Sequence, residues 1–136
     1  MRNWLLLPLL CLLSGLAHAG NLVGVTADEA LALQGKGALV VDVRTPEEWK
    51  KTGVIPGSKG LTFFNATGSY DKDDWLKQLK TLVKSPEQPI VLVCASGRRS
   101  GLVGKMLTTE AGYQAVYNLD KGVRGWSAEN KPLVVE

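Results

Sequence analysis

Two short stretches, Leu39-Val40-Val41-Asp42-Val43 and Ile90-Val91-Leu92-Val93, are nearly continuous apolar, β-branched runs bounded by Gly or Pro. Runs of this kind predict strands buried on both faces, as in a parallel sheet. Elsewhere the apolar positions recur at helical spacing. Trp75, Leu76, Leu79, Leu82 and Val83 predict an amphipathic helix over about 72–84, closed by Pro86 and Pro89. Leu102, Val103, Met106 and Leu107 mark one face of another, ending near Gly112. Thr26-Ala27-Asp28-Glu29 is a capping box that opens a helix over about 27–34, with Gly35 and Gly37 placed to end it. Thr45-Pro46-Glu47-Glu48 repeats that signal for a short helix stopped by Gly53 and Pro56. A further strand is expected within Gly60–Asn65 and a last one at Ala115-Val116-Tyr117, followed by a turn at Gly122 and Gly125. Strands alternating with helices predict an α/β fold, a mostly parallel sheet flanked by helices on both faces.

The first residues follow a different pattern. Arg2 gives a short positive start, Trp4 through Leu13 form an apolar run, and Ala17-His18-Ala19 has the small-x-small form that a signal peptidase reads. The run is interrupted by Pro8, Ser14 and Gly15, and falls short of the roughly 20 apolar residues that a membrane-spanning helix needs. A secretory signal over 1–19, cleaved after Ala19, is therefore expected, with 20–136 as one domain and no membrane insertion afterwards. Cleavage removes His18 and Cys11 and leaves a chain with no His and one Cys, Cys94.

Composition adds mostly exclusions. With 136 residues, 45% apolar and 21% charged, the chain fits one ordinary globular domain and neither a disordered nor a collagen-like one. Sixteen Lys and Arg against thirteen Asp and Glu leave a formal +3, too small and scattered to act as a footprint for nucleic acid or membrane. Export implies an oxidising compartment, where cysteines are usually paired, so a lone Cys94 is either buried and inert or reactive.

The segment Cys94-Ala95-Ser96-Gly97-Arg98-Arg99-Ser100 favours the second option. It lies between the strongest strand and a helix, where open α/β sheets present their ligand sites. Amide N–H groups converging in such a loop form an anion-binding nest, and Gly97 supplies the positive φ that the curl requires. A thiolate at its rim gains from the amides, the helix dipole and two Arg charges. A plain structural role for Cys94, with Arg98 and Arg99 as solvated charges, fits poorly. Cations at a helix start oppose the macrodipole by about 0.3–1 kcal/mol each, so two adjacent Arg imply an anion nearby. Without His the chain cannot build a Ser-His-Asp triad, a Cys-His dyad or a His-ligated metal site. Nor does it show ligands for a metal or organic cofactor, and none is expected. An anion-cradled Cys serves phosphate-ester hydrolysis or sulfur transfer through a persulfide. A tyrosine-phosphatase loop carries its Arg one position farther from the Cys than Arg99 stands from Cys94.

These residues belong to a longer series: Val41-Asp42-Val43-Arg44, Glu47-Glu48-Trp49, Gly53-Val54-Ile55-Pro56-Gly57, Cys94-x-x-Gly97-x-Arg99-Ser100, Gly112-Tyr113 and Gly125-Trp126. In this order they resemble the rhodanese-like sulfurtransferase family, and most of all its small, exported, single-domain members of the phage-shock type in bacterial envelopes. The resemblance implies a five-stranded sheet, a periplasmic location and a thiosulfate sulfurtransferase. Cys94 would take the sulfane sulfur of thiosulfate or a similar small anionic donor and pass it to cyanide, a thiol or an envelope thiol protein. The amides of Ala95, Ser96, Gly97, Arg98 and Arg99 would bind the anion. Arg99 matches the family position, Arg98 adds attraction, and Ser100 is either the helix cap or a further donor. Alternatives are a non-catalytic sulfur carrier or thiol-binding module, and a phosphatase or arsenate-reductase relative. Asp42 and Arg44 are expected to hold the fold, Trp49, Trp75 and Trp126 to lie in or beside the core, and Phe63 and Phe64 are candidates to flank the site. Two positions depart from the family: Val54 stands where it usually has His, and Lys121-Gly122 where it often has a Gly pair.

Overall fold

A computed structural model describes residues 20–135, so the expected signal segment lies outside the described residues. The elements are β1 (Val23–Val25), α1 (Ala27–Gly35), β2 (Leu39–Asp42), α2 (Pro46–Thr52), β3 (Lys59–Gly60), α3 (Lys72–Leu82), β4 (Ile90–Val93), α4 (Arg98–Thr109), β5 (Val116–Leu119) and α5 (Gly122–Ala128). The strands pair in the order β1-β5-β4-β2-β3, and all four pairings are parallel.

The continuous apolar runs are explained by β4 and β2, which lie at the centre of the sheet and are covered on both sides. Because side chains alternate along a strand, Ile90 and Leu92 face one cluster with Val41 of β2 and with Trp75, Leu79, Val103 and Leu107 of α3 and α4. Val91 and Val93 face the other, with Val40 of β2 and with Ala27, Ala30, Val123 and Trp126 of α1 and α5. Both predicted capping boxes form, with the Thr26 and Thr45 hydroxyls accepting from Glu29 N and Glu48 N. Trp75 and Trp126 are core residues whose indole N–H groups donate to Leu61 O and Pro132 O, and Trp49 is half-buried over Gly60.

Three local expectations change. The strand expected within 60–65 is only the two residues of β3; Leu61 and Phe63 still donate to Asp42 O and Val43 O, but the chain then turns away. The turn is fixed by Asn65, whose Oδ1 accepts from Thr67 N and Ser69 N, so a local side-chain bond replaces the ladder. The turn expected at Gly122 and Gly125 is α5. Gly122 is present because its Cα packs against the carbonyls of Cys94 and Ala95, and Gly125 because it packs against the Lys121 side chain. β1 was not anticipated; it is a three-residue edge strand on β5 with one buried side chain. Val54, in place of the usual His, is buried and pairs with Val134 in an antiparallel bridge.

Candidate active site

The parallel arrangement brings the C-terminal ends of β2, β4 and β5 to one edge of the sheet, and the loop Cys94–Gly97 leaves β4 there. Gly97 has φ +93°, the positive value that the loop predicts, and it is the N-cap of α4. A Cβ at this position would clash with Asp120 O, so the curl closes only over a glycine. This cap corrects the expectation of Ser100 as the helix cap. α5 holds the loop from outside, through Val123 N to Cys94 O at 2.9 Å and Arg124 N to Ala95 O at 3.1 Å.

Inside the curl, Gly97 N–H donates to Cys94 Sγ at 3.1 Å and the Ser100 hydroxyl lies 3.3 Å from the same atom. Burial pushes the Cys94 thiol up, but hydrogen bonds from the Ser100 hydroxyl and from the Ser100, Ser96 and Gly97 amides outweigh it and hold the thiol below its ordinary range. The same bonds favour the thiolate, the form of a cysteine that acts as nucleophile.

Asn118, from β5, completes the curl. Its Oδ1 lies 2.6 Å from Ser100 Oγ and its Nδ2 donates to Gly97 O at 3.0 Å. Asn118 thus braces both groups that touch the sulfur. Sequence reasoning missed it, since an Asn in a strand carries no signal of a partner in a distant loop.

The two arginines differ. Arg98 is exposed and makes no side-chain ion pair among the described residues. Arg99 is committed to Glu48 of α2 in a bidentate pair, Nη1 to Oε1 at 2.8 Å and Nη2 to Oε2 at 2.7 Å. The Arg99 bond holds the Glu48 carboxyl at about 2, despite burial acting the other way. Glu48, read from sequence as a helix cap, therefore also fixes the guanidinium beside the loop. Ala95 is half-buried and Ser96 exposed at the loop surface.

Asp42 and Arg44 are both 1% exposed and form a closed structural pair. Arg44 Nη2 donates to Asp42 Oδ2 at 2.8 Å and to Gly53 O at 3.0 Å, and Nη1 to Thr52 Oγ1 at 2.7 Å. These bonds join the end of β2 to the end of α2, which sets where Glu48 stands. Phe63 is buried in the same apolar cluster as Cys94, stacked with Tyr70 and edge-on to Trp75, with Phe64 packed at its margin. Among the described residues no three His, Cys, Asp or Glu side chains converge as a metal site.

Residues 26–129 match the Rhodanese-like domain. The chain belongs to the rhodanese-like family. An uncharacterised Escherichia coli protein, YibN, is 35% identical over 111 residues, covering 81% of this chain and 71% of its own length. The thiosulfate sulfurtransferase GlpE of Pseudoalteromonas translucida is 29% identical over 96 residues, covering 71% and 79%. The solved polysulfide-sulfur transferase of Wolinella succinogenes superposes with TM-score 0.66 at 26% identity, covering 87% of this chain and 81% of that one. This rhodanese-like domain therefore has the sulfurtransferase type of fold, and its five-stranded parallel sheet is that of the family.

Proposed function

We propose that this rhodanese-like protein is a sulfurtransferase that carries sulfane sulfur on Cys94, from thiosulfate or a similar anionic donor to cyanide or a thiol. The observation that carries the reading is the cradled sulfur: Cys94 Sγ accepts from Gly97 N–H and faces the Ser100 hydroxyl in a six-residue loop ending at Arg99. In the first step the Cys94 thiolate attacks the outer sulfur of thiosulfate. The S–S bond of the donor breaks, sulfite leaves with its electron pair, and Cys94–S–S⁻ remains. In the second, the acceptor attacks the outer sulfur of the persulfide, and the Cys94 thiolate returns as the leaving group. Cyanide gives thiocyanate by this route, and a thiol gives its hydropersulfide.

The loop amides stabilise thiolate and persulfide as preorganised dipoles, in the manner of an oxyanion hole. Arg98, exposed and without an ion pair among the described residues, recruits the donor anion; Arg99, neutralised by Glu48, holds the loop and contributes mainly by position. The names of the Pseudoalteromonas and Wolinella proteins support the same chemistry. The Arg2 start, the apolar run and Ala17-His18-Ala19 support export, with the periplasm as the working compartment and an envelope thiol protein among the acceptors proposed. The test is turnover with thiosulfate plus cyanide alongside an aryl phosphate. Thiocyanate formation that is lost in Cys94→Ser supports the reading; phosphate release without thiocyanate contradicts it.

A further inference from the structure

A cleft of about 700 Å³ opens beside the loop, between α2 and α5. Its walls include Lys51 and Thr52 of α2, Arg124 and Ala128 of α5, Leu133, and Ala95 next to the nucleophile. The size is that of a small-molecule site. Two of its charged wall residues are already matched: Arg44 pairs with Asp42, and Glu48 with Arg99. Lys51 and Arg124 are exposed and have no carboxylate partner among the described residues. The cleft therefore keeps two positive charges without a carboxylate partner among the described residues, and its lining also includes the apolar Val123, Ala128 and Leu133.

Both walls are tied to the reacting loop. The α5 wall is held by the amides of Val123 and Arg124 on Cys94 O and Ala95 O, and the α2 wall by Glu48 on Arg99. The backbones that carry Lys51 and Arg124 are thereby tied to the loop that carries the sulfur, so both side chains start from set positions beside it. We propose that this cleft is the acceptor subsite, and that it takes a small thiol bearing carboxylates, whose negative groups are held by Lys51 and Arg124. The proposal rests on sulfur transfer through Cys94. In this step the bound thiol, R–SH, attacks the outer sulfur of Cys94–S–S⁻. R–S–SH and the Cys94 thiolate form, the thiol proton stays with the product, and no external oxidant or reductant is consumed.

The test separates the two half-reactions. Parent protein and the Lys51→Ala/Arg124→Ala variant are loaded with thiosulfate, freed of donor, and discharged with mercaptosuccinate or with 2-mercaptoethanol, while the persulfide is followed by intact mass. Because each protein meets both thiols, the ratio of the two discharge rates cancels their intrinsic reactivities. The ratio is expected to fall about tenfold in the variant, and the parent ratio to fall towards that of the variant in high salt. Lys77→Ala, which removes a charge on α3, is expected to keep the parent ratio. An unchanged ratio overturns the proposal, as does a variant that loses loading from thiosulfate, which would make the cleft a donor site. If the parent protein never loads, sulfur transfer itself fails and the subsite falls with it.

Discussion

Ser100 Oγ stands 2.6 Å from Asn118 Oδ1 and 3.3 Å from Cys94 Sγ, and it has one proton to give. Both neighbours are acceptors when the sulfur is ionised. With Cys94 protonated the hydroxyl serves Asn118, and ionisation draws its proton towards the sulfur. The ionisation of Cys94 is therefore expected to be reported by Asn118. In an NMR titration the Asn118 side-chain amide should shift with the same midpoint as Cys94; resonances that stay flat through that transition would exclude the shared proton.

Removing the hydroxyl should weaken the thiolate without abolishing it, because the Ser96, Gly97 and Ser100 amides remain. Ser100→Ala is expected to move the Cys94 midpoint up towards the ordinary thiol value of about 8.5 and to slow alkylation by iodoacetamide at pH 7 severalfold. It also leaves the buried Asn118 Oδ1 without its donor, at a cost of about 1–3 kcal/mol in urea denaturation. The parent protein should alkylate with a midpoint below that of an ordinary thiol. In stability the sign follows from the depressed value: the contribution of Cys94 is complete above the unfolded thiol value and is lost as pH falls through the folded one.

The same sign applies to Glu48, held at about 2 by Arg99 against an ordinary 4.5. Its contribution is complete above about 4.5 and is lost as pH falls towards 2. The pair is 31% exposed on each side, so solvent screening reduces it to about 1–2 kcal/mol. Glu48→Gln should be less stable than the parent by that amount at pH 7, and the difference should narrow at pH 3. Equal gaps at both pH values would show that the charge pair does not carry the effect.

The Asp42–Arg44 pair is a harder case, because it is closed off from water. Loss of one partner leaves the other charged and buried, at about 3–5 kcal/mol. Arg44→Ala should lower the unfolding midpoint sharply, and Arg44→Lys should not restore it, since an ammonium cannot make the fork to Asp42 while reaching Gly53 O and Thr52 Oγ1. Full recovery by Lys would show that charge alone matters here.

The sequence was most legible where local physics and burial agree. β4 and β2 announce themselves because central parallel strands need apolar residues on both faces, and the two capping boxes because their partners are three residues apart. The reactive loop was visible for a similar reason: Gly97, the cysteine and the helix start are adjacent in the chain. α5 was obscured by Gly122 and Gly125, which meet a close approach from elsewhere in the fold and carry no local mark of it. β1 pairs with the sheet on one side only and has little apolar pattern. Glu48 and Asn118 were missed as site residues because Arg99 lies 51 positions from the first and Ser100 lies 18 from the second, so only tertiary packing joins them.

Intact-mass analysis of the protein after thiosulfate treatment and removal of excess donor addresses the central claim without assuming any acceptor. The parent protein should gain one sulfur atom, localised to Cys94 and discharged by cyanide, while Cys94→Ser gains none. A parent protein that stays at its original mass, or a Cys94→Ser protein that gains the same sulfur, would contradict the account.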